Sequence, residues 1–309
     1  MFEVDQLALK FERHLDCEVV DFDFLSGDYK KLVFLEADRT VEVHAQWGSY
    51  FKTRIPAFGR CMQYDAATAD LYVGASGSDL YRLNLSLGRF QTPLKTTSEA
   101  GVNCLAQHAG LQLVAAGCEN GVVECFDPRA GQRAALLDVK AQLVAGQAKA
   151  SSMMRTGGGF AAVTAVALEG LQLGVGTQPG VVLLYDLRSS KPLLLKDHQY
   201  DMPIKDLHFH GEHVISCDAK ICKIWEREGG AAYANIELES DINSVCVVPK
   251  SGLLFLAAEQ ERVESYYVPG LGPAPSWCSF LDNLTEELEE EAPVIYADYK
   301  FVTRKELEE

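Results

Sequence analysis

Residues 196–226 read KDHQYDMPIKDLHFHGEHVISCDAKICKIWE, and this stretch decides the fold. Ile204, Leu207 and Phe209 mark one extended run, with Asp206, His208 and His210 interleaved. A polar turn follows at Gly211–His213. Val214, Ile215 and Cys217 make a second run, Asp218-Ala219-Lys220 a tight turn, and Ile221, Ile224 and Trp225 a third. Three short strands joined by polar turns and closed by an aromatic–acid pair are predicted to form one blade of a repeat propeller. His198, Ser216, Asp218 and Trp225 are the candidate polar network of that blade. Buried polar groups need partners, and this chain would tie an outer loop to inner strands.

Working outward, the same ending recurs. Phe126-Asp127 closes GVVECFDPR and Tyr185-Asp186 closes PGVVLLYDLR. Weaker endings stand at Phe2-Glu3, Val43-His44, Leu83-Asn84 and Tyr266-Tyr267. Five of the six intervals between endings fall at 40 to 43 residues, and the other is 59. WD40-type blades repeat at ~40–45 residues. The stretch 196–226 therefore resembles a WD40 repeat, with Trp225-Glu226 standing where that family writes Trp-Asp. The long interval contains an Ala-, Gly-, Ser- and Gln-rich insertion, residues 140–160, which lacks a periodic apolar face and reads as a flexible loop.

Each interval opens with a fourth, outer strand, as at 50–55, 132–137 and 192–196. Residues 6–13 (QLALKFER) form such a strand, either completing the blade that ends at Tyr266 or belonging to an earlier blade of a seven-bladed ring. The second reading is preferred. The expected architecture is all-β: a propeller of about six blades over residues 1–281, followed by an acidic helical tail over 282–309. In that tail Asn283, with Glu286 three residues on, opens a short helix that Pro293 ends, and Thr303-x-x-Glu306 opens another. The proline-rich VPGLGPAPSWCSF before it is no central strand.

Several function classes are disfavoured by composition. The net charge of −16 argues against a broad grip on nucleic acid or an anionic membrane. No apolar run approaches the ~20 residues that span a bilayer, and the first residues carry no signal-peptide pattern. Nine cysteines scattered through predicted strands read as reduced thiols of a cytosolic or nuclear protein.

Five cations are candidate partner-binding residues. Lys52, Arg54 and Arg60 surround a proline turn that also carries Phe58, and Arg offers a planar fork to phosphate or carboxylate. The structural alternative pairs Arg54 and Arg60 with local carboxylates. Arg129 and Arg188 end two Asp-x-Arg sequences, the form seen in propellers that dock on ubiquitin-ligase adaptors. Their structural alternative is a pairing across the blade junction. No set asks for a cofactor, metal or small-molecule substrate. His208, His210 and His213 lack further ligands at zinc spacing. Ser216 has no nucleophile-elbow context. Gly157–Gly159 is followed by no Lys-Ser/Thr, and the sequon at Asn283 matters only in an exported chain.

Almost the whole chain resembles the nucleolar protein 10 family, also called essential nuclear protein 2. The runs that carry this are KFERHLDCEVVDF, KKLVFLEADRTVEVHAQWGSYFKTRIPAFGR, LYRLNLSLGRF, VECFDPR and GVVLLYDLRSSKPLLLKDHQYDMPIK. LGPAPSWCSFLDNLTEELEE and YADYKFVTRKEL, outside the repeats, are the most specific. The resemblance implies a seven-bladed nucleolar WD40 protein of the small-subunit processome, needed for 18S rRNA maturation. Implied partners are preribosomal proteins, pre-rRNA and the U3 particle. The family adds an N-terminal blade and a basic C-terminal extension. The expected function is a non-catalytic scaffold. The alternative is a substrate adaptor for a cullin-type ubiquitin ligase.

Overall fold

The middle strands of each repeat are rich in apolar residues because both their faces are covered. Leu32–Glu36, Thr40–Ala45 and Asp70–Ala75 are buried along nearly their whole length. The outer strand Gln132–Asp138 is exposed at nearly every position. This gradient from buried to wet sets the order of strands in each sheet. The computed structural model describes residues 2–4, 8–10, 12–108, 110–146 and 162–285.

Six antiparallel meanders follow one another. The first contains Val19–Phe24, Leu32–Glu36, Thr40–Ala45 and Gly48–Arg54. The second contains Gly59–Asp65, Asp70–Ala75 and Asp79–Asn84, with an outer strand in two pieces, Arg89–Phe90 and Leu94–Lys95. The third contains Val102–His108, Leu113–Cys118, Val122–Asp127 and Gln132–Asp138. The fourth contains Val163–Glu169, Gln172–Thr177, Val181–Asp186 and Pro192–Asp197. The fifth contains Asp206–His210, His213–Cys217, Ile221–Glu226 and Ala232–Glu237. The sixth has three strands, Ile242–Val247, Leu253–Ala258 and Glu264–Tyr267. The first strand of each sheet packs against the first strand of the next, so the sheets fan about a common axis as a six-bladed β-propeller.

The core lies between blades. Val33, Leu35, Val41 and Val43 of the first blade meet Met62, Leu71 and Val73 of the second. Tyr72, the residue between Leu71 and Val73, turns the other way and meets Val102, Val114 and Phe126 of the third. Period-2 alternation thus gives this middle strand a share in two neighbouring cores. Trp225 fills the core between the fourth and fifth blades with Leu184, Ile204 and Leu207.

Polar bonds repeat the link. The Asp21 and Asp23 carboxylates of the first blade accept from the backbone N–H of Met62 (2.7 Å) and Tyr64 (3.1 Å). Asp206 accepts from Val245 N–H (3.1 Å) and the Ser244 hydroxyl (2.9 Å) of the sixth.

Two expectations need correction, and the choice left open at residues 6–13 is narrowed. The insertion begins not as a loop but as a helix, Val139–Gly146. Asp138 Oδ1 caps it by accepting from Ala141 N–H at 2.9 Å, and Val139 and Leu143, one turn apart, seat in the core between the third and fourth blades. Residues 147–160 of the expected loop lie outside the described residues. Of residues 6–13, Ala8–Leu9 is extended and pairs with Phe2–Glu3 as a hairpin, and among the described residues it does not pair with Glu264–Tyr267, so it does not complete the sixth blade; residues 6, 7 and 11 lie outside the described residues. The C-terminal helix starts upstream of Asn283, over residues 280–285, continuing the turn Ser276–Cys278. Asp282 in it accepts from Ala274 N–H (3.0 Å) and from the Tyr267 hydroxyl, which pins the segment to the sixth blade. The rest of the tail lies outside the described residues.

Candidate partner-binding surfaces

The polar chain of the fifth blade is assembled from four places. His198 follows the outer strand of the fourth blade, Ser216 and Trp225 sit on middle strands of the fifth, and Asp218 lies in the turn between those two strands. All four side chains are fully buried. Trp225 Nε1–H donates to Ser216 Oγ (3.0 Å), Ser216 Oγ lies 2.7 Å from His198 Nε2, and His198 Nδ1 lies 3.0 Å from Asp218 Oδ2. The donors fix the protons: a carboxylate can only accept, so Nδ1 carries the hydrogen and Nε2 receives the Ser216 O–H. Asp218 Oδ1 also accepts from the N–H groups of Lys220 (2.7 Å) and Ile221 (2.8 Å). Burial works against its charge, but the His198 bond and these two N–H bonds outweigh it and hold its pKa below the ordinary carboxylate value. A Ser–His–Asp order appears here, yet a reacting carbonyl has no access to a wholly buried hydroxyl. What the arrangement can do is lock the strand turn to the preceding blade.

The predicted surface cations each have local partners. Lys52 Nζ lies 3.3 Å from Glu42 Oε2 and 4.0 Å from Glu36 Oε2. Arg54 pairs with Asp38 at 3.3 Å. Arg60, on the innermost strand of the second blade, donates to Asn103 (2.6 Å) and Glu119 of the third. The proline turn therefore does not unite Arg54 and Arg60 in one grip. Phe58 instead lies exposed beneath Arg39, whose guanidinium carbon is 5.1 Å from the ring centroid. Arg188 folds back on its own Asp186 (2.6 and 2.9 Å), and Arg129 donates through Nε to Gln112 of the same blade.

Besides Arg60, two arginines that cross blade junctions were not singled out from sequence. Arg227 of the fifth blade reaches Glu169 Oε2 (2.9 Å) and Gln172 of the fourth and lies over the Phe209 ring. It stands directly after Trp225-Glu226, one residue short of the Asp-x-Arg spacing. Arg82 of the second blade donates to Pro128 O of the third (3.2 Å) and to Asp70 (2.8 Å). Its signal was faint, because its ending is Leu83-Asn84 rather than an aromatic–acid pair.

The histidines proposed and rejected as a metal site disperse. His208 pairs with Asp206 (3.0 Å), His210 Nε2 reaches Leu271 O (3.2 Å) and His213 packs on Tyr233. One group not anticipated brings Cys17, Glu36 and Asp38 to within 4.8 Å of one another. Arg54 pairs with Asp38 at 3.3 Å, and Lys52 lies 4.0 Å from Glu36.

Two depressions open on the surface. One, of about 840 Å³, lies where the innermost strands of the second, third and fourth blades begin, and Arg60, Asn103, Glu119 and Thr164 line it. The other, of about 560 Å³, lies between the outer edge of the second blade and the Pro128–Gly131 turn of the third.

Fan-like sheets sharing interblade cores, with loops at both ends, define a β-propeller. The domain family described as "Nucleolar protein 10-like, N-terminal domain" matches residues 1–292, and the chain belongs to that family. It is 48% identical to "Nucleolar protein 10" of Xenopus tropicalis over 312 aligned residues, covering 100% of this chain and 44% of the relative. The human protein of that name is 48% identical, with 99% and 44% covered. "Ribosome biogenesis protein ENP2" of Saccharomyces cerevisiae is 40% identical, with 99% and 43% covered. The chain thus spans under half the length of these relatives. Among solved structures, a chain of "Crystal Structure of Mitotic Checkpoint Complex" superposes with a TM-score of 0.67 at 17% identity, covering 83% of this chain and 74% of that one. That likeness speaks for the propeller fold alone.

Proposed function

We propose that this chain is a non-catalytic propeller platform in ribosome biogenesis, working in the nucleolus within the small-subunit processome on the way to mature 18S rRNA. The observation that carries the reading is similarity along essentially the whole chain to relatives named nucleolar protein 10 and ribosome biogenesis protein ENP2. The site geometry supports a binding role. The Ser216–His198–Asp218 order is sealed in the core, whereas loops and cations occupy the surface. Preribosomal proteins are the proposed partners, with pre-rRNA and the U3 particle in the same assembly. The ubiquitin-ligase reading rests on Arg129 and Arg188, and the guanidinium of Arg188 is spent on Asp186 within its own turn.

Affinity purification of the tagged protein from growing cells tests this. Small-subunit pre-rRNA and U3 RNA are expected in the eluate, with a nucleolar focus by fluorescence. A cullin complex without these RNAs, or a signal that avoids the nucleolus, would overturn it.

A further inference from the structure

The outer strand of the second blade is broken. Arg89 and Phe90 pair with Asn84 and Leu83, and Leu94 and Lys95 pair with Leu80 and Asp79. Between them, Gln91 N–H still donates to Arg82 O (2.8 Å), but Thr92 and Pro93 leave the ladder, and Pro93 has no N–H to offer it. The break forms one wall of the 560 Å³ notch, and the Pro128–Gly131 turn of the third blade forms the other. Arg82 ties the walls together through Pro128 O and Asp70, so the notch is a fixed shape rather than a gap between loose loops.

Its chemistry runs against the rest of the molecule. The chain has 44 acidic and 28 basic residues. Yet three arginines, Arg82, Arg89 and Arg129, line this notch and no carboxylate does. Arg82 Nε is out of solvent without an acceptor among the described residues. Arg89 is exposed and has no acceptor among them either. Arg129 is held through Nε by Gln112, which aims the guanidinium and leaves its other nitrogens for another group. Leu87 and Phe90 lie exposed on the same rim.

We propose that this notch binds a short acidic segment of a partner protein, carboxylates held by Arg89 and Arg129 and an apolar side chain laid on Leu87 and Phe90. The inference rests on the platform reading and names the chemistry of one of its partners. Arginine forks match carboxylates in pairs, and such charge-assisted bonds are the strong ones. A peptide suits the notch better than RNA. The opening is short and part apolar, and the net charge of −16 repels a long polyanion beyond its rim.

A phage-displayed library of short random peptides, panned on the full chain, tests it. Acidic sequences carrying an aromatic or aliphatic residue should be enriched. The leading synthetic peptide should bind Arg89→Glu/Arg129→Glu at least about tenfold more weakly by fluorescence anisotropy, and Arg188→Glu like the parent. Enrichment without acidic character, equal affinity for the double variant, or displacement of the peptide by U-rich single-stranded RNA from the same arginines would each overturn the proposal. Co-purification of that double variant with small-subunit pre-rRNA is read separately. A variant that stays with the RNA, from a parent that selects no acidic peptide, sinks the notch and leaves the platform standing.

Discussion

At the scale of single residues, the fifth blade depends on a run of four buried polar side chains in which every donor meets an acceptor. Ser216 is its hinge, since its hydroxyl accepts from Trp225 and donates to His198. Ser216→Ala leaves a buried indole N–H without a partner, and that asymmetry costs about 1–3 kcal/mol. Urea denaturation should show the loss with an unchanged slope. Asp218 makes the same network sensitive to acid. Its folded pKa lies below the unfolded value, so its charge contributes stability above the unfolded carboxylate pKa of about 3.9, and loses it as pH falls through the lower folded one. Asp218→Asn should therefore flatten the acid limb of the stability–pH curve. A limb as steep as the parent's would place the acid sensitivity elsewhere.

At the scale of elements, the second strand of a blade must let the next blade approach. In the third blade a Cβ on Gly117 would sit 2.6 Å from Val163 of the fourth, where the next innermost strand begins. The same closeness recurs at Gly74 against Val102 and at Gly176 against Ile204. Gly117→Ala should destabilise the protein by about 1–3 kcal/mol through overpacking, read as a lower melting temperature. The helix Val139–Gly146 makes a gentler case. Asp138→Ala removes its cap and should cost about 1 kcal/mol, with earlier proteolytic cleavage near the helix as the local signature.

These elements also mark what the sequence disclosed. The strands were legible because Val214, Ile215 and Cys217, or Val181–Tyr185, form short apolar runs bounded by turn residues, and because aromatic endings recur at a fixed spacing. Trp225 and its three partners were legible because each polar residue sits at a place that burial forces to be satisfied. The helix was missed because its apolar positions, Val139 and Leu143, are too few to show a period, and its cap belongs to the strand before it. The break in the second blade was missed because Pro93 alone does not reveal where a ladder resumes. The cross-blade arginines Arg82 and Arg227 were missed for a different reason. Arg227 finds Glu169 and Gln172 some fifty residues earlier in the chain, and only the closing of two sheets brings them together.

At the scale of the whole molecule, neighbouring blades are held both by shared apolar cores and by a few long polar reaches. Arg227 is one reach from fifth blade to fourth, bonded to Glu169 and Gln172 and lying over Phe209. Arg227→Ala removes packing as well as charge, and should lower the thermal midpoint while leaving the pre-transition circular dichroism unchanged. Arg188→Ala, which loses only a contact inside its own turn, should shift the midpoint far less.

Since Leu71 and Val73 look to one side of their strand and Tyr72 to the other, this spoke of the wheel does not own its interior. A change of volume in such a strand is felt by two neighbours at once and invites compensation from both. Over evolutionary time such mutual dependence confines novelty to the rims, where a loop can lengthen or a strand can fray without disturbing the hub.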